Sequence, residues 1–179
     1  MMKRRKSRVI KVGGVKIGGD SPVVVQGMTK TDTEDIGTTV KEINRLAKAG
    51  AKIVRIAVPT VRAARGVSRI KDKVNVPLVA DVHFNYRIAL ECIHQGMDKI
   101  RINPGNMGKK EILWVARRAK EACIPLRIGV NSGSLKDSLL RKSLSDNKKI
   151  RGYQEEKHRQ AVAETMVESA LGIISLLEG

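Results

Sequence analysis

Apolar runs of strand length recur from residue 23 onward, separated by stretches with helical periodicity. Ahead of them, Ser7 to Gly19 alternates with period two around Gly13-Gly14, which predicts a β-hairpin covering one end of the domain. Val23 to Gln26 reads as the first strand of the main body. A helix follows, with Thr31 and Glu34 in capping-box spacing, a stripe through Ile36, Val40, Ile43 and Leu46-Ala47, and Gly50 at its end. Ile53 to Val58 is the second strand, and Pro59 suits the first position of a helix carrying Val61, Ala64, Val67 and Ile70. Leu78 to Val82 is the third strand, with Asn85 capping a helix that ends near Gly96. Lys99 to Ile102 is the fourth, followed by a helix marked by Ile112, Val115, Ala119 and Ala122. Leu126 to Val130 is the fifth. A polar, basic stretch runs from Ser132 to Tyr153, with a short helix expected at Leu135 to Arg141. A last helix is expected over Glu155 to Glu178, with Val162, Met166, Ala170, Ile173-Ile174 and Leu177 inward.

The strands recur roughly every 22 to 26 residues, the period of repeated βα units, which implies a parallel sheet with right-handed crossovers. Polar residues gather at the C-terminal ends of all five strands. A doubly wound sheet gathers ligands at one switch point, whereas a TIM (β/α)8 barrel builds its site from every strand end. The expected fold class is therefore α/β, a TIM-type barrel. It is expected to be incomplete in this chain: about five βα units in residues 1–179, where a closed barrel needs eight. An open arc leaves unpaired edges and an uncovered inner face, so this stretch alone is expected to be poorly soluble or partly unfolded.

Three strands carry an arginine among apolar neighbours: Ile53-Val54-Arg55-Ile56, Lys99-Ile100-Arg101-Ile102 and Pro125-Leu126-Arg127-Ile128. A buried guanidinium needs an anion or a carboxylate to neutralise it. Strand side chains alternate between faces, so Asp81 shares a face with His83, Arg101 with Asn103, and Arg127 with Gly129 and Asn131, and Arg55 joins them in a barrel. Together these residues are candidates to bind one phosphorylated ligand. Arginine forks suit phosphate oxygens, asparagine suits a hydroxyl or a phosphate oxygen, His83 is a donor or proton carrier, and Asp81 orients His83 or Arg55. The turns Asn103-Pro104-Gly105-Asn106 and Asn131-Ser132-Gly133-Ser134 add backbone N–H groups that favour anions. The alternative is that the three arginines face outward and pair with helix carboxylates. Gln26 to Thr33 is either a binding loop or only a helix cap. No Gly-x-Gly-x-x-Gly or Walker pattern is present.

Charge agrees with an anionic partner. The chain has 35 basic and 18 acidic side chains, a formal net charge of +17, and such a field draws polyanions. It has only four aromatics (Phe84, Tyr86, Trp114, Tyr153), poor material for stacking bases, and its basic residues are dispersed, which argues against nucleic acid. No run of about eighteen apolar residues occurs, so no transmembrane helix is expected. The basic start leads into strand-like sequence rather than an apolar signal region, and a cytoplasmic location is the expectation. Cys92 and Cys123 form no CxxC pair and read as small buried hydrophobes, with no metal site.

Five runs carry a resemblance to a known family: Val25-Gln26-Gly27-Met28-Thr29-Lys30-Thr31-Asp32-Thr33, Val54-Arg55-Ile56-Ala57-Val58-Pro59, Ala80-Asp81-Val82-His83-Phe84, Lys99-Ile100-Arg101-Ile102-Asn103-Pro104-Gly105-Asn106, and Arg127-Ile128-Gly129-Val130-Asn131-Ser132-Gly133-Ser134-Leu135. In order and spacing, from about Arg5 to the end, they resemble 4-hydroxy-3-methylbut-2-en-1-yl diphosphate synthase of the methylerythritol phosphate route to isoprenoids. The resemblance implies a TIM barrel that grips the diphosphate of 2-C-methyl-D-erythritol 2,4-cyclodiphosphate. It implies Arg55, His83, Arg101, Asn103, Arg127 and Asn131 on that diphosphate, with Asp81 lining the site. It also implies a [4Fe-4S] cluster in a C-terminal domain, two electrons from ferredoxin or flavodoxin, and a homodimer in which the cluster domain of one subunit closes over its partner's barrel. Gly27 and Lys30 stand where the family usually has Ser and Asn, and 143–160 is longer and more basic than the usual link. The sixth to eighth βα units, with a phosphate-binding lysine, and the cluster domain have no counterpart in 1–179, so this stretch alone is not expected to carry out the redox step. Two rivals stand beside it: a redox-free phosphate-binding barrel such as an aldolase or pterin-condensing synthase, and a basic nucleic-acid-binding protein.

Overall fold

The computed structural model describes residues 6–132 and 154–178. The expected helix at Leu135–Arg141, residues Gly133-Ser134 of the second turn and most of the basic stretch lie outside the described residues. The chain opens with an antiparallel hairpin of β1 (Ile10–Val12) and β2 (Val15–Ile17). Gly13 turns it at φ +53°, a conformation that favours glycine. Five parallel strands follow in sequence order within one sheet: β3 (Gln26–Met28), β4 (Ile53–Ala57), β5 (Leu78–Val82), β6 (Lys99–Ile102) and β7 (Leu126–Ile128). Between them run α1 (Ile36–Lys48), α2 (Val61–Arg65), α3 (Val67–Lys71), α4 (Tyr86–His94) and α5 (Lys109–Glu121). The last helix, α6 (Gln154–Glu178), packs on β7, α5 and the Pro104–Asn106 turn.

Each sheet face has its own chemistry. Val54, Ile56 and Val58, then Leu78, Ala80 and Val82, then Ile100 and Ile102, form one core cluster with Ile43, Val67, Ala89, Cys92, Ile112 and Val115 of the helices. On the other face, Ile53 and Val79 pack against Val12 of the hairpin in a separate small cluster. The hairpin therefore plugs the N-terminal end of the inner face. A Cβ at Gly13 would stand 2.9 Å from Pro77 Cγ, so the turn lies hard against the entry to β5. Asp98 holds the same end by accepting from the Leu78 backbone N–H and from Lys71 Nζ, both at 2.8 Å. The inner face above the plug is left to polar side chains.

Several boundaries differ from the sequence reading. β3 begins at Gln26, not Val23, because its ladder starts where β4 does, with Gln26 opposite Ile53. Val23 and Val25 are exposed ahead of it. Asp35 caps α1 by accepting from Thr38 N, while Thr31 pairs with Thr39 and Glu34 accepts from Thr60. Pro59 precedes the true cap, Thr60, and Gly66 divides the expected second helix in two. β7 stops at Ile128. Cys123 is exposed at φ +55° just past α5, not buried. In α6 the buried residues are Ala161, Thr165 and Ile173, while Val167, Leu171 and Ile174 are exposed. By length and composition, Arg159–Glu178 would suit a membrane span, although no continuous apolar run marks it. Its contacts with β7 and α5 are those of a helix packed on a barrel.

Candidate functional site

The parallel ladder decides which side chains meet. Its rungs pair Ala57 with Asp81, Asp81 with Arg101, and Arg101 with Arg127. Rung partners project to the same face, so Asp81, Arg101 and Arg127 all point to the inner side. Arg55 sits two rungs lower, opposite Val79, on that same face. The outward-facing alternative for the arginines does not hold.

Asp81 is the hub. Its Oδ1 accepts from Arg101 Nη1 at 2.9 Å, and its Oδ2 lies 3.7 Å from Arg55 Nε. Arg101 Nη1 also lies 2.9 Å from His83 Nε2. A guanidinium only donates, so in this contact His83 Nε2 is the acceptor. That same Nε2 is 3.3 Å from Asp81 Oδ1. Asp81 is 5 % exposed and Arg101 7 %, so this pair is a buried one. Arg55 is half-buried. Its Nε and Nη2 point at the Met28 sulfur at 3.1 and 2.9 Å, a weak acceptor.

Arg101 reaches across to β7, where its Nη2 donates to the Gly129 carbonyl at 3.0 Å. A Cβ at Gly129 would stand 2.1 Å from Arg101 Nε, so the guanidinium occupies the space a side chain would fill. Arg101 Nε is buried without a hydrogen-bond partner among the described residues. Asn103 is also buried, and its Oδ1 accepts from Gly105 N at 3.1 Å, which makes it the cap of the following turn. Arg127 and Asn131 are exposed, toward the open side of the sheet. Of the residues singled out from sequence, Arg55, His83 and Arg101 all gather on Asp81, with Asn103, Arg127 and Asn131 at the adjoining strand ends.

Three residues escaped the sequence reading. Met28 and Gly129 line the arginines through proximity that no motif spells out. Lys99, one inward position below Arg101, is buried; burial, and then the neighbouring Arg127, pull its amine below the ordinary lysine range. The loop after β3 is more than a helix cap. Glu42 accepts from the Lys30 and Thr31 backbone N–H groups at 2.9 and 3.1 Å, and this lowers its carboxyl. Thr33 Oγ1 donates to Ala57 O.

An iron–sulfur cluster needs thiolate ligands. Among the described residues no group of three His, Cys, Asp or Glu is placed to hold a metal. The Cys92 thiol is buried in the helix–sheet layer, where burial pushes it up to about 12, and Cys123 is exposed past the C-terminus of α5. The described residues do not fit such a group.

The profile described as the GcpE TIM-barrel domain matches residues 7–179. Curated relatives include 4-hydroxy-3-methylbut-2-en-1-yl diphosphate synthase (flavodoxin) of Shouchella clausii strain KSM-K16, 49 % identical over 176 residues, which is 98 % of this chain and 44 % of that protein. The protein of the same name from Bacillus mycoides strain KBAB4 is 47 % identical over 179 residues, 99 % of this chain and 45 % of its own length. The chain thus spans less than half the length of these relatives. Among solved structures, the dihydropteroate synthase of Yersinia pestis matches 90 % of this chain and 60 % of its own with a TM-score of 0.55 at 15 % identity. The 7,8-dihydropteroate synthase of Vibrio fischeri ES114 matches 93 % and 63 % with a TM-score of 0.53 at 11 % identity. Both are likenesses of fold alone.

Proposed function

Because this chain belongs to the GcpE TIM-barrel domain family, we propose that it is the N-terminal part of a barrel that binds 2-C-methyl-D-erythritol 2,4-cyclodiphosphate for reductive ring opening to 4-hydroxy-3-methylbut-2-enyl diphosphate. One observation carries the reading: Arg55 and Arg101 share a single carboxylate, Asp81, on the inner face that also bears Arg127. Three guanidinium groups against one carboxylate leave two positive charges in excess. A cyclic diphosphate with one ionised oxygen per phosphorus supplies two negative charges, matched in number and held on a rigid ring.

Each residue has a distinct task in this reading. Among the described residues, Arg55 donates from Nε and Nη2 only to the Met28 sulfur, a weak acceptor that phosphate oxygens can displace, while Asp81 stands 3.7 Å away. Arg127 is exposed on the next strand, with Asn131 just beyond its end. His83, held by Arg101 through Nε2, has its other ring nitrogen for a ligand oxygen or hydroxyl. Asn103 shapes the turn and presents its amide beside Arg101. This is positioning and charge stabilisation in a preset field. In the same reading, the [4Fe-4S] cluster that supplies the electrons is held outside the described residues, the donor is flavodoxin or ferredoxin, and the complete protein is a cytoplasmic homodimer.

The test is Arg101→Ala in the holoenzyme. Loss of the hub's main donor is expected to lower kcat/KM for the cyclic diphosphate by about a hundredfold or more, the cost of truncating one buried charge-assisted contact. Near-normal kinetics would remove the basis of the assignment.

A further inference from the structure

Tyr86, half-buried against the helix–sheet core, meets Trp114, and Phe84 stands two residues ahead of it in the chain. Helices of a βα barrel begin at the end where its strands finish, the end that carries the site. Phe84 follows β5 directly and is 73 % exposed, Tyr86 opens α4, and Trp114 lies in the second turn of α5 with 48 % exposure. Tyr86 and Trp114 meet at a tilt of 54° with ring centroids 5.3 Å apart, and the Arg87 guanidinium stands 5.9 Å from the Tyr86 ring. On α5, Lys110 and Arg117 flank Trp114 at spacings of four and three residues, which puts them on its face, and both are exposed. The basic rim around the indole therefore lies beside the mouth of the site.

We propose that this rim, centred on Trp114 and Tyr86, is the docking surface for the acidic electron-donor protein; the inference rests on the reductive reading above. An exposed indole already packed against a neighbouring ring is a rigid anchor that loses little freedom on binding. Aromatic and arginine side chains are the ones that dominate interface energetics. Charge selects the occupant. A rim carrying Arg87, Lys110 and Arg117, on a chain of net charge +17, attracts an acidic surface. One ring pair gives no track for successive bases, which disfavours nucleic acid. A donor seated here rests beside the mouth, on the side where the substrate is held.

The test uses the holoenzyme with Trp114→Ala and, separately, Arg117→Glu. Titration with an oxidised, acidic flavodoxin is expected to show affinity reduced about tenfold or more in each variant, with a shallower salt dependence for Arg117→Glu. Turnover driven by reduced methyl viologen, which needs no docking surface, is expected to stay at the wild-type level. Unchanged flavodoxin affinity in both variants overturns the proposal. So does an equal loss of viologen-driven turnover, which would mean that the rim serves closure by another part of the protein or by a second copy. If Trp114→Ala fails to fold, Arg117→Glu and Lys110→Glu, both at exposed positions, carry the test. Absence of viologen-driven turnover of the cyclic diphosphate in the wild type would refute the functional reading instead, and the flavodoxin titration would still report on docking.

Discussion

Gly129→Ala adds one methyl group at a position whose φ is not in the left-handed region, so backbone strain is not at issue. The new Cβ would stand 2.1 Å from Arg101 Nε and 2.8 Å from both Cζ and Nη2. Contacts that short are not tolerated, and the guanidinium must leave. An exposed arginine would swing away at little cost, but Arg101 is 7 % exposed and fastened to Asp81, His83 and the Gly129 carbonyl. Breaking a buried charge pair by displacing one partner costs about 3–5 kcal/mol, and retreat of the arginine toward the open inner face recovers part of it. A net loss of about 3 kcal/mol lowers Tm by roughly 6–12 °C for a domain of this size. The assay is thermal melting of the intact protein, repeated in an Arg101→Met background. There the methyl group finds a flexible thioether instead of a fastened fork, and the substitution is expected to cost less than about 1 kcal/mol. A wild-type cost below about 0.5 kcal/mol, or the same cost in both backgrounds, refutes the reasoning.

Two further outcomes follow from buried groups elsewhere. Lys99 has its amine pulled below the ordinary range by burial and by Arg127. Between that lowered value and the unfolded value of about 10.4 the unfolded chain binds more protons, so the Lys99 contribution to stability rises with pH. Lys99→Met removes this slope: its Tm relative to wild type is expected to be highest near pH 7 and to fall toward pH 10, and a difference independent of pH contradicts it. Cys123 is exposed and Cys92 is buried with its thiol near 12. A thiol reagent such as Ellman's reagent is therefore expected to titrate one equivalent in the native protein and the second only on unfolding. Two fast native equivalents would contradict the placement of Cys92.

Where period and parity decide the outcome, the sequence was readable. Leu78–Val82 and Lys99–Ile102 run between the expected limits because both strands have a strand neighbour on each side. Asn85 caps α4 as its residue type requires. Parity placed Asp81, His83 and Arg101 on one face, and it holds because a buried ladder fixes register. At the sheet's edge the reading lost accuracy. The ladder of β3 is set by the start of β4 rather than by its own Val23-Val24-Val25 run. Arg127 reads like Arg101 in sequence but is exposed, because β7 has only one strand neighbour among the described residues. The capping box failed because Thr31 is taken up by Thr39 and by Glu42, eleven residues on. Gly129 was legible only as a residue of the right parity. Its use as a berth for a guanidinium from another strand is a property of three dimensions.

The division of labour between the two faces of the sheet explains how such a polar inner surface survives folding. The apolar gain comes from the outer layer, where Ile56, Leu78, Ile100 and Ile112 are fully buried. The hairpin closes the lower end of the inner face with Val12, Ile53 and Val79. Above that plug the chain has only to keep Arg55 and Arg101 from being uncompensated, and Asp81 does so for both. Asp81 also sets the geometry, because it draws the two guanidinium groups toward one point before any ligand arrives. A cyclic diphosphate entering this face meets donors already oriented and need not reorganise them. A second carboxylate here would make the empty site more comfortable and the bound one weaker, since it would cancel part of the excess positive charge that the ligand is bound by. The buried, unpartnered Arg101 Nε fits this compromise. That donor has no partner among the described residues, at a position where the arginine must lie for Asp81, His83 and Gly129 to hold it.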